Sequence, residues 1–361
     1  MEITSKLLPE SDRKYSQIAG IKDLPFGQFR TDHMFLVDYK DGEWKNARIV
    51  PYGPIEMMPG AVSLHYGQTI FEGAKAFRHA DGEIYAFRLD QNAKRMNVSA
   101  ELICMQSISE ELQVEGAMRL MDIDRKWCPD VPESSLYIRP FMFATEDALG
   151  VRPSREYKYC VILSPSGPYY AGGFNHSVRL LITDKYHRAV SGGTGASKTG
   201  GNYTASLKPG MVAKQCGASQ VLYLDATNTY IEEAGAMNHF HIMKDGTVII
   251  PEFTDSILRS ITSISMIELL PTLGYKVRQE RIAIKDFVAQ IKSGDIIEAG
   301  GFGTAAVVSP VNEYVFDDGE ILKVGNGEIG EHTRKIYEAY TAIQKGAAPD
   351  KFGWLKKVER Y

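Results

Sequence analysis

Lys198 sits in Ser191-Gly-Gly-Thr-Gly-Ala-Ser-Lys-Thr-Gly-Gly-Asn-Tyr203, one amine among five glycines. Glycines let a backbone approach a flat ring that bulkier neighbours would block. Three chemistries compete for this lysine. A phosphate-gripping P-loop requires glycine just before the lysine; here that residue is Ser197, and no strand feeds directly into the loop. A solvated loop lysine is the plainest reading. The third makes Lys198 a Schiff-base nucleophile, an amine that loses its proton part of the time beside a cationic cofactor in a desolvated pocket.

What favours the third is Glu233, in the apolar, strand-like stretch Tyr230-Ile-Glu-Glu-Ala-Gly-Ala-Met-Asn-His-Phe-His-Ile242. A carboxylate there is expensive to bury unless a cation meets it. A pyridinium nitrogen would serve, and pyridoxal phosphate chemistry needs such an acidic partner because the protonated ring is the electron sink.

The elements that must position these groups are short and mixed. Ile84–Phe87, Ser135–Arg139, Tyr159–Leu163, Val178–Thr183, Gln220–Leu224 and Val248–Ile250 read as strands. Asn92–Met105, Ser260–Leu273 and His332–Lys345 carry helical spacing, the second closed by Gly274. Strands and helices in both halves indicate an α/β or α+β fold, and periodicity alone does not choose between them. The segment Ser164-Pro-Ser-Gly-Pro-Tyr-Tyr-Ala-Gly-Gly173 separates two apolar runs. It predicts a smaller domain over 1–168, a linker over 169–177, and a larger domain over 178–361 that carries the Schiff-base lysine.

Composition narrows the function classes. Lys+Arg 41 against Asp+Glu 45 gives a formal charge of −4, with no basic run suited to a nucleic-acid backbone. The first residues lack an apolar signal core, and no stretch approaches the ~18 apolar residues of a spanning helix, so the chain reads as cytoplasmic without a membrane partner. Cys104, Cys128, Cys160 and Cys216 form no C-x-x-C pair and are expected as reduced thiols. His239 and His241 stand at strand spacing without a carboxylate companion, so no metal is expected.

Taken together, Lys198-x-Gly-Gly-Asn-Tyr203, Glu233-x-Gly-x-x-Asn238 and Gly303-Thr-Ala305 resemble the branched-chain-amino-acid aminotransferases, fold-type IV pyridoxal phosphate enzymes. Thr31-Asp-His-Met34, Ser63-Leu-His-Tyr66, Phe71-Glu-Gly73, Arg95-Met96 and Ser135-Leu-Tyr-Ile-Arg-Pro140 are similar to landmarks of its longer form, so the resemblance covers nearly the whole chain. It implies a two-domain architecture with the active site in the cleft between domains at a homodimer interface. The implied cofactor is pyridoxal 5'-phosphate, and the implied reaction is a ping-pong transfer from leucine, isoleucine or valine to 2-oxoglutarate. D-Amino acid aminotransferases and aminodeoxychorismate lyases share the lysine and glutamate but are typically shorter. A relative that kept the fold and lost the chemistry is the remaining alternative.

The resemblance also implies roles. Lys198 would carry the cofactor and move the substrate proton, Glu233 would face the ring nitrogen, and Tyr203 the ring hydroxyl. The phosphate would fall to Arg95, to the N–H groups of Ile261 and Thr262, and to Thr304; Arg88 is the neighbouring arginine that the residues alone do not exclude. Phe26, Tyr66, Phe71, Tyr137 and Tyr169 would line the substrate pocket, Arg139 would take a distal carboxylate, and Thr304 with Ala305 the α-carboxylate. Leu149-Gly-Val151 would reach a neighbouring subunit's site. Three departures stand out. Leu258-Arg-Ser-Ile-Thr-Ser263 replaces the L-P-G-[VI]-[TV]-R of relatives, putting that loop's rigidity in question. Ala236 replaces a hydroxyl residue common among relatives. Ala306 and Ser309 replace the vertebrate C-x-x-C.

Overall fold

The computed structural model describes residues 1–169 and 173–361, so Tyr170, Ala171 and Gly172 of the expected linker lie outside the described residues. By contact the chain divides into two compact units, Met1–Tyr169 with Ser197–Gly200 and Ile343–Tyr361, and Tyr170–Ala196 with Gly201–Ala342.

The first unit is built on a nine-stranded sheet. Its centre is the antiparallel pair Ser135–Ala144 and Tyr157–Ser166, flanked by His33–Lys40 on one side and by Thr69–Phe71 and Ala74–Arg78 on the other. Side chains alternate across a strand, and Ser135–Ala144 uses both faces. Leu136, Ile138, Met142 and Ala144 enter a core shared with Met96 and Ala100 of the helix Leu89–Leu102 and with Leu112, Ala117 and Met121 of the helix Glu110–Ile123. Tyr137, Arg139, Phe141 and Phe143 therefore point to the other face.

Landmarks near the N-terminus serve this framework. Asp32 accepts from the Trp127 indole at 2.6 Å and from Lys14 N at 2.9 Å, while buried His33 meets Asp124 through its ring, at 2.7 Å, and through its backbone N–H.

The sequence reading placed Lys198 in the second domain; by contact, Ser197–Gly200 belongs to the first unit. Backbone pairing is the reason. Phe71 N donates to Lys198 O at 3.0 Å, Thr199 Oγ1 to Thr69 O at 2.7 Å, and Lys198 N to Ser99 Oγ at 2.9 Å. The C-terminal strand Leu355–Lys357 returns in the same way to Ile84–Phe87, and the first unit is the longer of the two rather than the smaller.

The second unit holds a ten-stranded sheet. An extra pairing between Tyr230–Ala234 and Met237–Met243 closes six strands into a ring that continues through Ile296–Gly303, Val307–Phe316, Val178–Ile182 and Gln220–Leu224. Val178, Leu180, Leu222, Ile231, Ala234 and Tyr314 share its core. The hairpin that allows closure turns at Gly235, whose φ of 64° suits glycine. The helix expected over Ser260–Leu273 runs as an α-helix over Ile261–Leu269 and tightens to a 3-10 turn over Leu270–Leu273. Proline at 271 lacks the N–H that would continue it. Among the described residues no helix is long and apolar enough to cross a membrane.

Candidate active site

In the first unit the structure joins most of the expected pocket residues into one run. Tyr169 packs edge-on against Phe26 at 5.3 Å between ring centroids, and Phe26 edge-on against Tyr137 at 5.1 Å. Arg139 donates to the Tyr137 hydroxyl at 3.1 Å, and its guanidinium lies 4.9 Å from the centre of the Phe71 ring. The same ring carries the Lys198 ammonium at 4.5 Å. Two cations therefore share one aromatic ring, whose quadrupole offsets part of their repulsion. Close packing beneath this run requires a glycine: a Cβ on Gly73 would overlap the Tyr137 hydroxyl.

Arg139 Nε is buried with no hydrogen-bond partner among the described residues. A donor in that state costs free energy unless an acceptor arrives.

Arg95 and Arg88 part company. Arg95 is held by Glu72 through a fork, Nε to Oε1 at 2.7 Å and Nη2 to Oε2 at 2.8 Å. Glu72 is fully buried and also accepts from Asn92 Nδ2 at 2.7 Å and from Gly73 N. Such bidentate geometry fixes a guanidinium in one plane. Arg88 stacks over Trp354 at 5.2 Å.

Tyr66, Leu149 and Val151 make a separate, exposed group. The Tyr66 hydroxyl donates to Leu149 O, Ala148 N donates to Gly60 O at 3.0 Å, and Val62 N to Glu146 O at 3.1 Å. Leu149 is 68% and Val151 83% exposed.

In the second unit, Glu233 lies in the strand Tyr230–Ala234 and is almost wholly buried. Its Oε1 accepts from Leu258 N at 2.8 Å and stands 3.2 Å from Arg188 Nη2. Sequence reasoning identified the carboxylate but not Arg188, an isolated arginine with no periodic pattern around it. Across the ladder Glu233 faces Asn238, which clasps the Leu258–Ser263 loop: Nδ2 donates to Leu258 O, and Oδ1 accepts from Ser260 N and from Ser263 Oγ at 2.9 Å. Ser260 then caps the helix by accepting from Ser263 N. The rigidity that the missing proline and glycine put in question is thus supplied by side chains. Ile261 and Thr262 take the first two positions of that helix, where N–H groups have no intrahelical acceptor.

Thr304 and Ala305 form the turn between Ile296–Gly303 and Val307–Phe316. A Cβ on Gly303 would touch Met237 and lie 3.9 Å from Ala236 O, so this turn sits by the tip of the Glu233 hairpin. Val307, β-branched, closes it at φ 60°, a strained conformation of the kind functional turns retain. Tyr203 falls in the short helix Gly200–Ala205, whose Asn202 anchors the preceding loop through Thr194 Oγ1 and O.

His239 and His241 are buried 3.3 Å apart, and burial holds both neutral, His241 down to about 3. Among the described residues no group of three or more His, Cys, Asp or Glu side chains is arranged to hold a metal ion.

Residues 69–314 match the family described as amino-transferase class IV. A probable branched-chain-amino-acid aminotransferase of Staphylococcus epidermidis is 46% identical over 96% of this chain and 99% of its own. Among solved structures, the Escherichia coli branched-chain amino acid aminotransferase superposes with a TM-score of 0.75 at 27% identity, covering 91% of this chain and 99% of the other. A branched-chain amino acid aminotransferase from T.th. matches at 27% identity over 90% of this chain and 98% of its own. Its TM-score is 0.73 with pyridoxamine 5'-phosphate and 0.71 with N-(5'-phosphopyridoxyl)-L-glutamate.

Proposed function

The chain belongs to the class IV aminotransferases, and on that premise we propose that it transfers the amino group of leucine, isoleucine or valine to 2-oxoglutarate, giving branched 2-oxo acids and glutamate. Pyridoxal 5'-phosphate is the cofactor, and when bound it supplies the electron sink for breaking the bond to the substrate α-hydrogen. The residues present fit it: an amine on an aromatic face, a buried carboxylate, an arginine held in one plane, and a capped helix N-terminus.

Lys198 would bind the cofactor aldehyde, and its Nζ would then carry the proton taken from the substrate α-carbon. Glu233 would accept the ring N–H, and Tyr203 would meet the ring hydroxyl. Arg95, the N–H groups of Ile261 and Thr262, and Thr304 would take the phosphate. Thr304 and Ala305 would also hold the substrate α-carboxylate.

The observation that carries the substrate reading is the run Tyr169, Phe26, Tyr137, Arg139, Phe71, Lys198. Its aromatic rings suit a branched apolar side chain, while Arg139 offers a buried N–H to the distal carboxylate of glutamate. One pocket can serve both because Arg139 rests on rings when no carboxylate is there. Exposed Leu149 and Val151, strapped to Tyr66, would be covered by a second copy of the chain, completing a homodimer.

The test is a panel of amino acids against 2-oxoglutarate with the purified holoenzyme. Leucine, isoleucine and valine should change its visible absorbance and yield glutamate. Indifference to all three, or turnover undiminished without the oxo-acid acceptor, rejects the reading.

A further inference from the structure

Two buried carboxylates are consecutive in the strand Tyr230–Ala234, and an arginine meets the second of them. Glu232 and Glu233 are each more than nine-tenths buried, as is Arg188. Arg188 Nη2 donates to Gly195 O and Ser256 O and lies 3.2 Å from Glu233 Oε1. Ser256 Oγ donates to Glu232 Oε1, while Glu232 Oε2 is buried with no hydrogen-bond partner among the described residues. Burial raises the Glu232 pKa beyond what the Ser256 hydroxyl and the Arg188 charge restore. Tyr223, opposite Glu233 across the ladder, is pushed up to about 12 by burial and stays neutral. The other charges acting on Glu232 are Asp225 and Asp255, both of which disfavour its ionisation further.

We propose that Arg188, anchored by the carbonyls of Gly195 and Ser256 and facing Glu233, is a positioning residue that decides where the proton rests between Glu233 and the nitrogen of the bound cofactor. The inference rests on the transaminase reading given above. A buried carboxylate without a cation is a strong base and competes for the ring proton. Arg188, fixed by two carbonyls, weakens that basicity and leaves the proton on the ring. The same two carbonyls tie the backbone at Gly195 and at Ser256 to this one guanidinium.

The experiment compares wild-type holoenzyme with Arg188→Gln, Arg188→Lys and Glu232→Gln. Each is read by the pH titration of its cofactor absorbance and by its pyridoxal phosphate dissociation constant. Without Arg188 the more basic Glu233 takes the ring proton, and a neutral ring makes the cofactor's link to Lys198 more basic, so Arg188→Gln should move the titration midpoint of that link upward by roughly half a unit or more and weaken binding about tenfold. Arg188→Lys should keep the midpoint near wild type while still weakening binding, because an ammonium retains the charge but does not hold the place of the planar guanidinium between the two carbonyls. Glu232→Gln should leave the midpoint in place.

A purely structural arginine would weaken binding in Arg188→Gln without moving the midpoint, and that result overturns the proposal. So does a midpoint in Glu232→Gln displaced as far as in Arg188→Gln. Should Arg188→Gln not fold, Arg188→Met, which keeps the stem without the charge, is read by the same two criteria, and a displaced midpoint in Arg188→Lys overturns the proposal. Borohydride reduction of the wild type should label Lys198. Its failure to do so strikes the transaminase reading, not this one.

Discussion

Each unit buries a carboxylate against an arginine, and the two pairs are anchored from opposite ends. In the first, Glu72 gives both oxygens to a fork from Arg95 and takes further donors from Asn92 and Gly73, so the carboxylate is the fixed end and the guanidinium is what it presents. In the second, Arg188 is fixed by the carbonyls of Gly195 and Ser256, and it reaches Glu233 at Oε1, where Leu258 N also donates. The end that is tied to the scaffold orients the other. On this contrast Glu72 would serve Arg95, whereas in the second pair the carboxylate would be the working group and the arginine would serve it.

The largest effect is expected at Lys198, the amine proposed to bind the cofactor. Lys198→Ala should lower kcat/KM for leucine by roughly 10^3-fold or more, read by coupled glutamate formation, because nucleophile and proton carrier go together.

The pairs themselves are separated next. Glu233→Gln keeps an acceptor for Leu258 N and Arg188 but loses the charge, and turnover should fall roughly 100-fold without recovery in excess pyridoxal phosphate. Glu72→Gln should instead cost about 3 kcal/mol in urea unfolding, since it leaves Arg95 unbalanced in a buried setting, and its turnover should recover in excess cofactor. Equal recovery in both would erase the distinction.

Gly73→Ala probes the packing between the Arg95 scaffold and the run proposed to bind substrate. Its methyl group would displace Tyr137 and with it Arg139, so KM for 2-oxoglutarate should rise roughly tenfold, about 1.4 kcal/mol, with less change in KM for leucine. The smallest effect is expected at the helix cap. Ser260→Ala should cost about 1 kcal/mol of stability and weaken pyridoxal phosphate more than pyridoxal, because the cap orders the N–H groups that would face the phosphate.

Much of the local architecture was legible. Gln220–Leu224 forms a strand with the expected bounds, and the helices of Leu89–Leu102 and Glu331–Gln344 fall within a few residues of expectation, because apolar period and cap chemistry act over short range. Glycine spacing and an apolar context make Lys198 and Glu233 candidates, and the structure places the first on the Phe71 ring and buries the second. Less legible were partners at long separation. Phe71-Glu-Gly73 stands out as a motif, yet nothing in it tells that Glu72 meets Arg95, and the clasp of Asn238 on Ser260 and Ser263 replaces a loop pattern that this chain lacks.

The sequence by itself determined which groups could do the chemistry, since amine, carboxylate and guanidinium are properties of residue type, and their order along the chain carries the family resemblance. Tertiary structure alone decided the unit to which Lys198 belongs, through hydrogen bonds to Thr69, Phe71 and Ser99. It also decided which member of each buried pair is tied to the scaffold and which is presented. Both outcomes depend on contacts between residues far apart in the chain, and side-chain period, which reports only on neighbours within a turn or a pleat, does not encode them.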